Sequence, residues 1–100
     1  MVTQKVSLTV NDVPIKLENF VSGYLGNIVG GIIASLKDTG EIKNLKLAID
    51  NEEQVSISLN GADLSLKPFP NEIIKRTVLS VVKMFKGVGE VERLEIIIVR

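Results

Sequence analysis

The chain has 100 residues, of which 45% are hydrophobic and 24% are charged, a balance that predicts a folded domain and excludes an intrinsically disordered chain. Its twelve basic and twelve acidic side chains cancel, which removes the overall positive charge that general nucleic-acid-binding proteins use. Cysteine and histidine are both absent, so the chain has no disulfide and uses neither thiolate nor imidazole chemistry.

The first predicted element is a β-hairpin. Apolar and polar residues alternate directly after Lys5, without the apolar run of a secretory signal, so we expect a cytoplasmic protein. A two-residue turn at Asn11 and Asp12 would place six apolar side chains on one face. They are Val6, Leu8, Val10, Val13, Ile15 and Leu17. Pro14 has no N–H group, which favours a position at the sheet edge for the second strand.

A helix and a closing strand follow the hairpin. Ser22 suits the helix N-cap, Phe20 precedes it as a hydrophobic staple, and Gly40 suits the helix exit. Bulky residues at helical spacing predict the side that covers a sheet. These are Tyr24, Leu25, Ile28, Val29, Ile32, Ile33 and Leu36. The alternation of Leu45, Leu47 and Ile49 then predicts an inward-facing strand.

The second half repeats the first at a spacing of 49 residues. Asn60 and Gly61 occupy the hairpin turn, Asn71 the N-cap and Gly89 the helix exit. Residues 6–50 align with residues 55–99 without a gap, and eleven of the 45 pairs are identical. Self-similarity at a fixed spacing indicates a repeated supersecondary unit.

We therefore predict one α+β domain over residues 1–100, an internally duplicated ββαβ-ββαβ chain with repeats at about 6–50 and 55–99. Two helices would pack on one face of a mainly antiparallel six-stranded sheet, or of two three-stranded sheets, with pseudo-twofold symmetry. Because residues 51–54 leave only a short connection, strands three, four and five are expected to form a meander, and the sixth strand would lie beside the first.

The two helices differ on the side opposite their bulky residues. The first helix carries only small or amide side chains there, and they form a candidate oligomer interface: Gly23, Gly26, Asn27, Gly30 and Ala34. Each helical glycine costs about 1 kcal/mol relative to alanine, so close packing against a partner is the expected compensation. A poorly optimised surface, a membrane contact and a ligand groove remain open. We expect no membrane span, because polar residues interrupt the 18 uncharged residues 19–36.

The second helix is basic where the first is neutral. A candidate face for an anionic partner is formed by Lys75, Arg76, Lys83 and Lys86. Exposed lysines are usually just solvated, and the zero net charge of the chain argues against nucleic acid as the partner.

The sequence shows no motif for catalysis, a metal or a cofactor, so we expect none of the three. Tyr24 is a candidate rim residue of a groove. The favoured interpretation is a small non-enzymatic binding or scaffolding domain that self-associates, as a dimer, through the first helix. One alternative is a nucleic-acid or anionic-partner module that uses the second helix. Another is a small enzyme with a pocket between the repeats, where Tyr24 acts with a carboxylate.

Overall fold

The computed structural model describes residues 4–36, 41–65 and 68–100. Two helices and six strands form in this part of the chain. In order they are β1 (Lys5–Val10), β2 (Val13–Ile15), α1 (Asn19–Leu36), β3 (Asn44–Ile49), β4 (Val55–Leu59), β5 (Ala62–Leu64), α2 (Pro68–Val82) and β6 (Leu94–Val99). The predicted α+β class, with a ββαβ order in each half, is confirmed.

All six strands join one antiparallel sheet in the order β2-β1-β6-β3-β4-β5. The predicted meander of β3, β4 and β5 is confirmed, and so is the position of β6 beside β1. The sheet is therefore continuous rather than two three-stranded sheets. The two closing strands, β3 and β6, lie at its centre, where Leu47 is opposite Ile96. Pro14 lies in the edge strand β2, where its missing N–H group leaves the ladder intact.

One face of the sheet carries the hydrophobic core. Alternate residues of the four inner strands are buried there: Leu8, Val10, Leu45, Leu47, Ile49, Ile57, Leu59, Leu94, Ile96 and Ile98. Both helices cover this face, with Leu25, Val29, Ile33, Ile74, Val78 and Val82 buried in the same cluster. Tyr24 and Ile73, predicted as part of the covering stripes, are instead 49% and 44% exposed, because they lie at the outer margin of each stripe.

The opposite face of the sheet is open to solvent. Both described helices pack on the other side and leave the second face of β6 uncovered among the described residues. Ile97 and Val99 of β6 point to the open face and are 37% and 43% exposed. Ile97 lies between Ser7 of β1 and Lys46 of β3.

The hairpin turns follow the sequence closely. Asn11 and Asp12 have φ angles of 52° and 66°, and Asn60 and Gly61 have φ angles of 51° and 86°. Two consecutive positive φ angles are typical of the two-residue turns that match strand twist, and asparagine and glycine tolerate them best. Both predicted turns are confirmed.

The predicted helix ends are less accurate. Ser22 lies inside α1, where its N–H group donates to the Glu18 carbonyl at 2.8 Å, and Asn71 lies inside α2, so neither is an N-cap. The positive φ after α2 belongs to Gly87, at 88°, rather than to Gly89. Gly40 lies outside the described residues. Short polar residues suit both caps and turns, so the sequence alone did not separate these positions.

Candidate functional site

The most distinctive surface is the side of α1 that faces away from the core. We call it the outer face of α1, and it consists of Phe20, Gly23, Tyr24, Asn27, Gly31 and Ala34. Apart from the adjacent Gly23 and Tyr24, successive members are three or four residues apart, which places them along one side of the helix. The whole of α1 contains no charged residue. A solvent-facing helix normally carries charges on this side, so the outer face is unusual for a surface helix.

An aromatic pair marks the beginning of the outer face. Phe20 is 79% exposed and Tyr24 is 49% exposed. Their rings stack with centroids 6.0 Å apart and an interplanar angle of 13°. The predicted staple role of Phe20 is wrong, because α1 already begins at Asn19 and the phenyl ring lies in solvent. Two large rings held together on an uncharged surface form a typical contact patch for another molecule.

Two of the candidate interface glycines have contacts within the chain that explain their size. A Cβ atom on Gly26 would lie 2.7 Å from Gln4 Nε2 and 2.9 Å from Val6 Cγ2, and one on Gly30 would overlap the Arg100 guanidinium group. Gly26 and Gly30 are accordingly buried. The structure therefore separates them from Gly23, Asn27 and Ala34, which lie on the outer face.

A small hydrogen-bond network holds these contacts in place. Arg100 Nε donates to Gln4 Oε1 at 3.0 Å, and Gln4 Nε2 donates to Asn27 Oδ1 at 3.3 Å. A longer bond of 3.4 Å joins Arg100 to the Gly26 carbonyl, and the Arg100 N–H group donates to the Lys43 carbonyl at 2.8 Å. These hydrogen bonds join the end of β6 to the middle of α1. Sequence reasoning missed Gln4 and Arg100, since nothing in the local pattern shows which residues lie above a glycine.

A groove of about 560 Å³ runs along the second half of α1. Its lining is Asn27, Gly30, Gly31, Ala34, Glu41, Ile42, Lys43 and Arg100. The aligned positions in and directly after α2 carry larger side chains, with Leu79, Ser80 and Lys83 in place of Gly30, Gly31 and Ala34. The small residues of α1 therefore leave room beside the helix. Tyr24 is one turn away from Asn27 on the outer face, and it does not line the groove.

The candidate anionic-partner face is divided by the structure. Lys75 Nζ lies 2.9 Å from Glu72 Oε2 and 3.2 Å from Glu53 Oε2, and Arg76 Nε lies 2.8 Å from Glu72 Oε1. Hydrogen bonds from Arg76 and Lys75 lower the pKa of the Glu72 carboxyl group, and the same carboxylates raise the pKa of Lys75. Lys83 and Lys86 are exposed beyond the last residue of α2. Two of the four cations thus have carboxylate partners within the chain.

The open face of the sheet has a depression of about 250 Å³ near Thr9, Ser56 and Arg93. Its arginine pairs with Asp12, and this ion pair lowers the pKa of the Asp12 carboxyl group. Glu95 pairs with Lys46 at 3.4 Å. The charges here are largely matched to one another.

Among the described residues, no group of three or more acidic side chains is placed to hold a metal ion. By length and composition alone, α1 could cross a membrane, with 18 residues of mean hydropathy 1.3. A core helix of a water-soluble protein meets the same criteria, so this finding is weak evidence for a membrane span.

No protein-family model matches the chain, and no curated protein and no solved structure matches it.

Proposed function

We propose that the protein is a small non-enzymatic binding or scaffolding domain that self-associates through the outer face of α1. The observation that carries the proposal is the exposed, stacked pair of Phe20 and Tyr24 on a helix without any charge. Apolar surface of this kind gains about 25 cal/mol per Å² when a partner covers it. A second copy of the chain is the natural partner, because a neutral surface brings no like charges together across a twofold axis.

A peripheral or spanning membrane role is the competing use of an apolar helix. Five residues of α1 are buried within the fold: Leu25, Gly26, Val29, Gly30 and Ile33. Three of them belong to the hydrophobic core, and moving α1 into a bilayer would expose the sheet side of that core. We therefore favour a cytoplasmic protein whose α1 remains packed on the sheet.

We also infer that the chain arose by internal duplication and has pseudo-twofold symmetry. Support comes from residues 49 positions apart that make matching contacts. Leu8 is opposite Ile96 in the way that Ile57 is opposite Leu47. Because the two halves share one framework, a difference between aligned surface residues of α1 and α2 indicates that the two helices have different contacts.

The test of self-association is the molecular mass in solution. We expect the native chain, of 10.9 kDa, to sediment as a dimer, and Gly31→Leu to sediment as a monomer because the new side chain would hold a partner away. Gly31 is preferable to Gly30 for this substitution, since leucine at Gly30 would also displace Arg100 within the chain.

The matched control is Ser80→Leu, at the aligned position of α2, where Ser80 is exposed. This variant should keep the native mass. A native chain that is monomeric at high micromolar concentration would overturn the proposal, and so would a dimer that both leucine variants leave intact.

A further inference from the structure

Two glycines of α1, Gly23 and Gly31, have no close neighbour among the residues that the structure describes. A Cβ atom added to Gly23 or Gly31 would meet no described atom within 4 Å beyond its own helix, whereas Gly26 and Gly30 make room for Gln4, Val6 and Arg100. Neither Gly23 nor Gly31 has a positive φ angle. Each costs about 1 kcal/mol of helix stability relative to alanine. Contacts within the described residues therefore do not account for their small size, and a partner that approaches the helix at both positions would.

The outer face has a regular arrangement about its middle residue. Gly23 and Gly31 are each four residues from Asn27, and Phe20 and Ala34 are each seven residues from it. A helix packed antiparallel on a copy of itself, with the twofold axis at Asn27, would bring each glycine opposite the partner's other glycine. We infer that α1 forms this antiparallel pair with a second copy of the chain. The inference rests on the proposed self-association and adds its geometry.

Side-chain sizes are complementary in this arrangement. Phe20 would lie on the partner's Ala34, so the most exposed ring of α1 meets a methyl group. Tyr24 would lie opposite the partner's Gly30, at the mouth of the 560 Å³ groove. Within that groove the phenol hydroxyl would find donors at the partner's Lys43 and Arg100. Each copy supplies a large half and a small half, which is what an isologous contact requires.

Electrostatics favour the same arrangement. Antiparallel helices place the positive end of one helix dipole near the negative end of the other. The 18 residues of α1 span about 27 Å, so the two helices overlap along most of their length. Facing Asn27 amides can hydrogen-bond across the axis and fix the register, as a single polar pair does in coiled coils. A parallel pair would instead place Phe20 against the partner's Phe20 and the small residues against one another.

Disulfide trapping tests the geometry directly, because the native chain contains no cysteine. A disulfide forms only when the two Cα atoms approach to about 7 Å or less. Asn27→Cys should therefore cross-link to itself under mild oxidation and shift to twice the native mass on a non-reducing gel. Phe20→Cys and Ala34→Cys should cross-link when they are mixed, and each alone should stay at the mass of one chain. Ser80→Cys on α2 reports random collision.

The outcomes test the antiparallel geometry and the self-association separately. Self-cross-linking of Phe20→Cys, with none in the mixture, would overturn the antiparallel geometry and indicate a parallel pair. A dimer by sedimentation whose Asn27→Cys variant cross-links no more than Ser80→Cys would overturn the geometry and leave self-association standing. A native monomer would overturn both. Sedimentation of every reduced cysteine variant, together with its circular dichroism spectrum, shows that the fold and the dimer survive the substitution.

Discussion

Asn11 and Asn60, which lie 49 residues apart, make the same set of hydrogen bonds to opposite halves of the chain. Asn11 accepts from the N–H groups of Glu92 and Arg93 and donates to the Glu90 carbonyl, at 2.8, 3.0 and 2.8 Å. Asn60 accepts from the N–H groups of Lys43 and Asn44 and donates to the Glu41 carbonyl, at 2.9, 2.9 and 2.8 Å. Each hairpin turn thus anchors the segment that leads into a central strand.

Removing either side chain should weaken the fold. Asn60→Gly and Asn11→Gly keep the positive φ angle without strain but lose three hydrogen bonds each, so we expect a loss of about 1–3 kcal/mol in the free energy of unfolding. Urea denaturation measures the loss. Asn51→Gly, in the exposed turn before β4, controls for the added backbone entropy. A loss no larger than that of Asn51→Gly would show that these amides contribute little.

The four glycines of α1 should respond differently to alanine. Gly31→Ala has open space and should raise the stability of the monomer by about 1 kcal/mol, while it weakens association by widening the helix contact. Gly26→Ala should give a smaller gain or a loss, because its methyl group would lie 2.9 Å from Val6 Cγ2. Thermal unfolding at concentrations where sedimentation shows a monomer measures the first effect. Equal gains at the two positions would argue against the tight contact at Gly26.

The two residues predicted as N-caps should also behave differently. Asn71 accepts a hydrogen bond from the Val55 N–H group at 3.1 Å, so Asn71→Ala should lower the free energy of unfolding by about 1 kcal/mol. Ser22→Ala replaces a residue inside α1 and should change it by less than about 0.5 kcal/mol. Guanidinium denaturation of both variants gives the comparison. A loss of about 1 kcal/mol in the free energy of unfolding for Ser22→Ala, as is typical of an N-cap residue, would contradict the observed start of α1.

Acid should weaken the charge cluster on α2. Bonds from Arg76 and Lys75 lower the pKa of Glu72 in the folded chain, so this carboxylate binds its proton more readily in the unfolded state. Its contribution to stability is complete above its ordinary pKa, near 4.5, and is lost as the pH falls through the lowered value. Urea midpoints measured between pH 7 and pH 2.5 should fall less for Glu72→Gln than for the native chain. Equal decreases in the urea midpoints of the two proteins would show that Glu72 does not contribute to the loss of stability in acid.

The sequence by itself determined the succession of strands and helices and the two hairpin turns, and the fold decided that all six strands join one sheet. Alternation with a period of two placed Leu45, Leu47 and Ile49 on the inward face, and this pattern is strong because a slip of one residue would expose the whole row. The turn at Asn60 and Gly61 was equally clear, since few residues accept two positive φ angles. The short connection at residues 51–54 then left the antiparallel meander as the expected arrangement.

Only the tertiary structure decided what the small residues of α1 contact. From the sequence, Gly23, Gly26 and Gly30 were assigned to one candidate interface and Gly31 was left out, because a missing side chain carries no information about its neighbour. The fold places Gln4 and Arg100, which are 96 residues apart, above two of these glycines and leaves the other two on the surface. Long-range neighbours of this kind depend on how the ends of β1 and β6 pack against α1, and local periodicity does not encode that packing. The outer face of α1 is therefore the part of the helix that the other described residues leave uncovered.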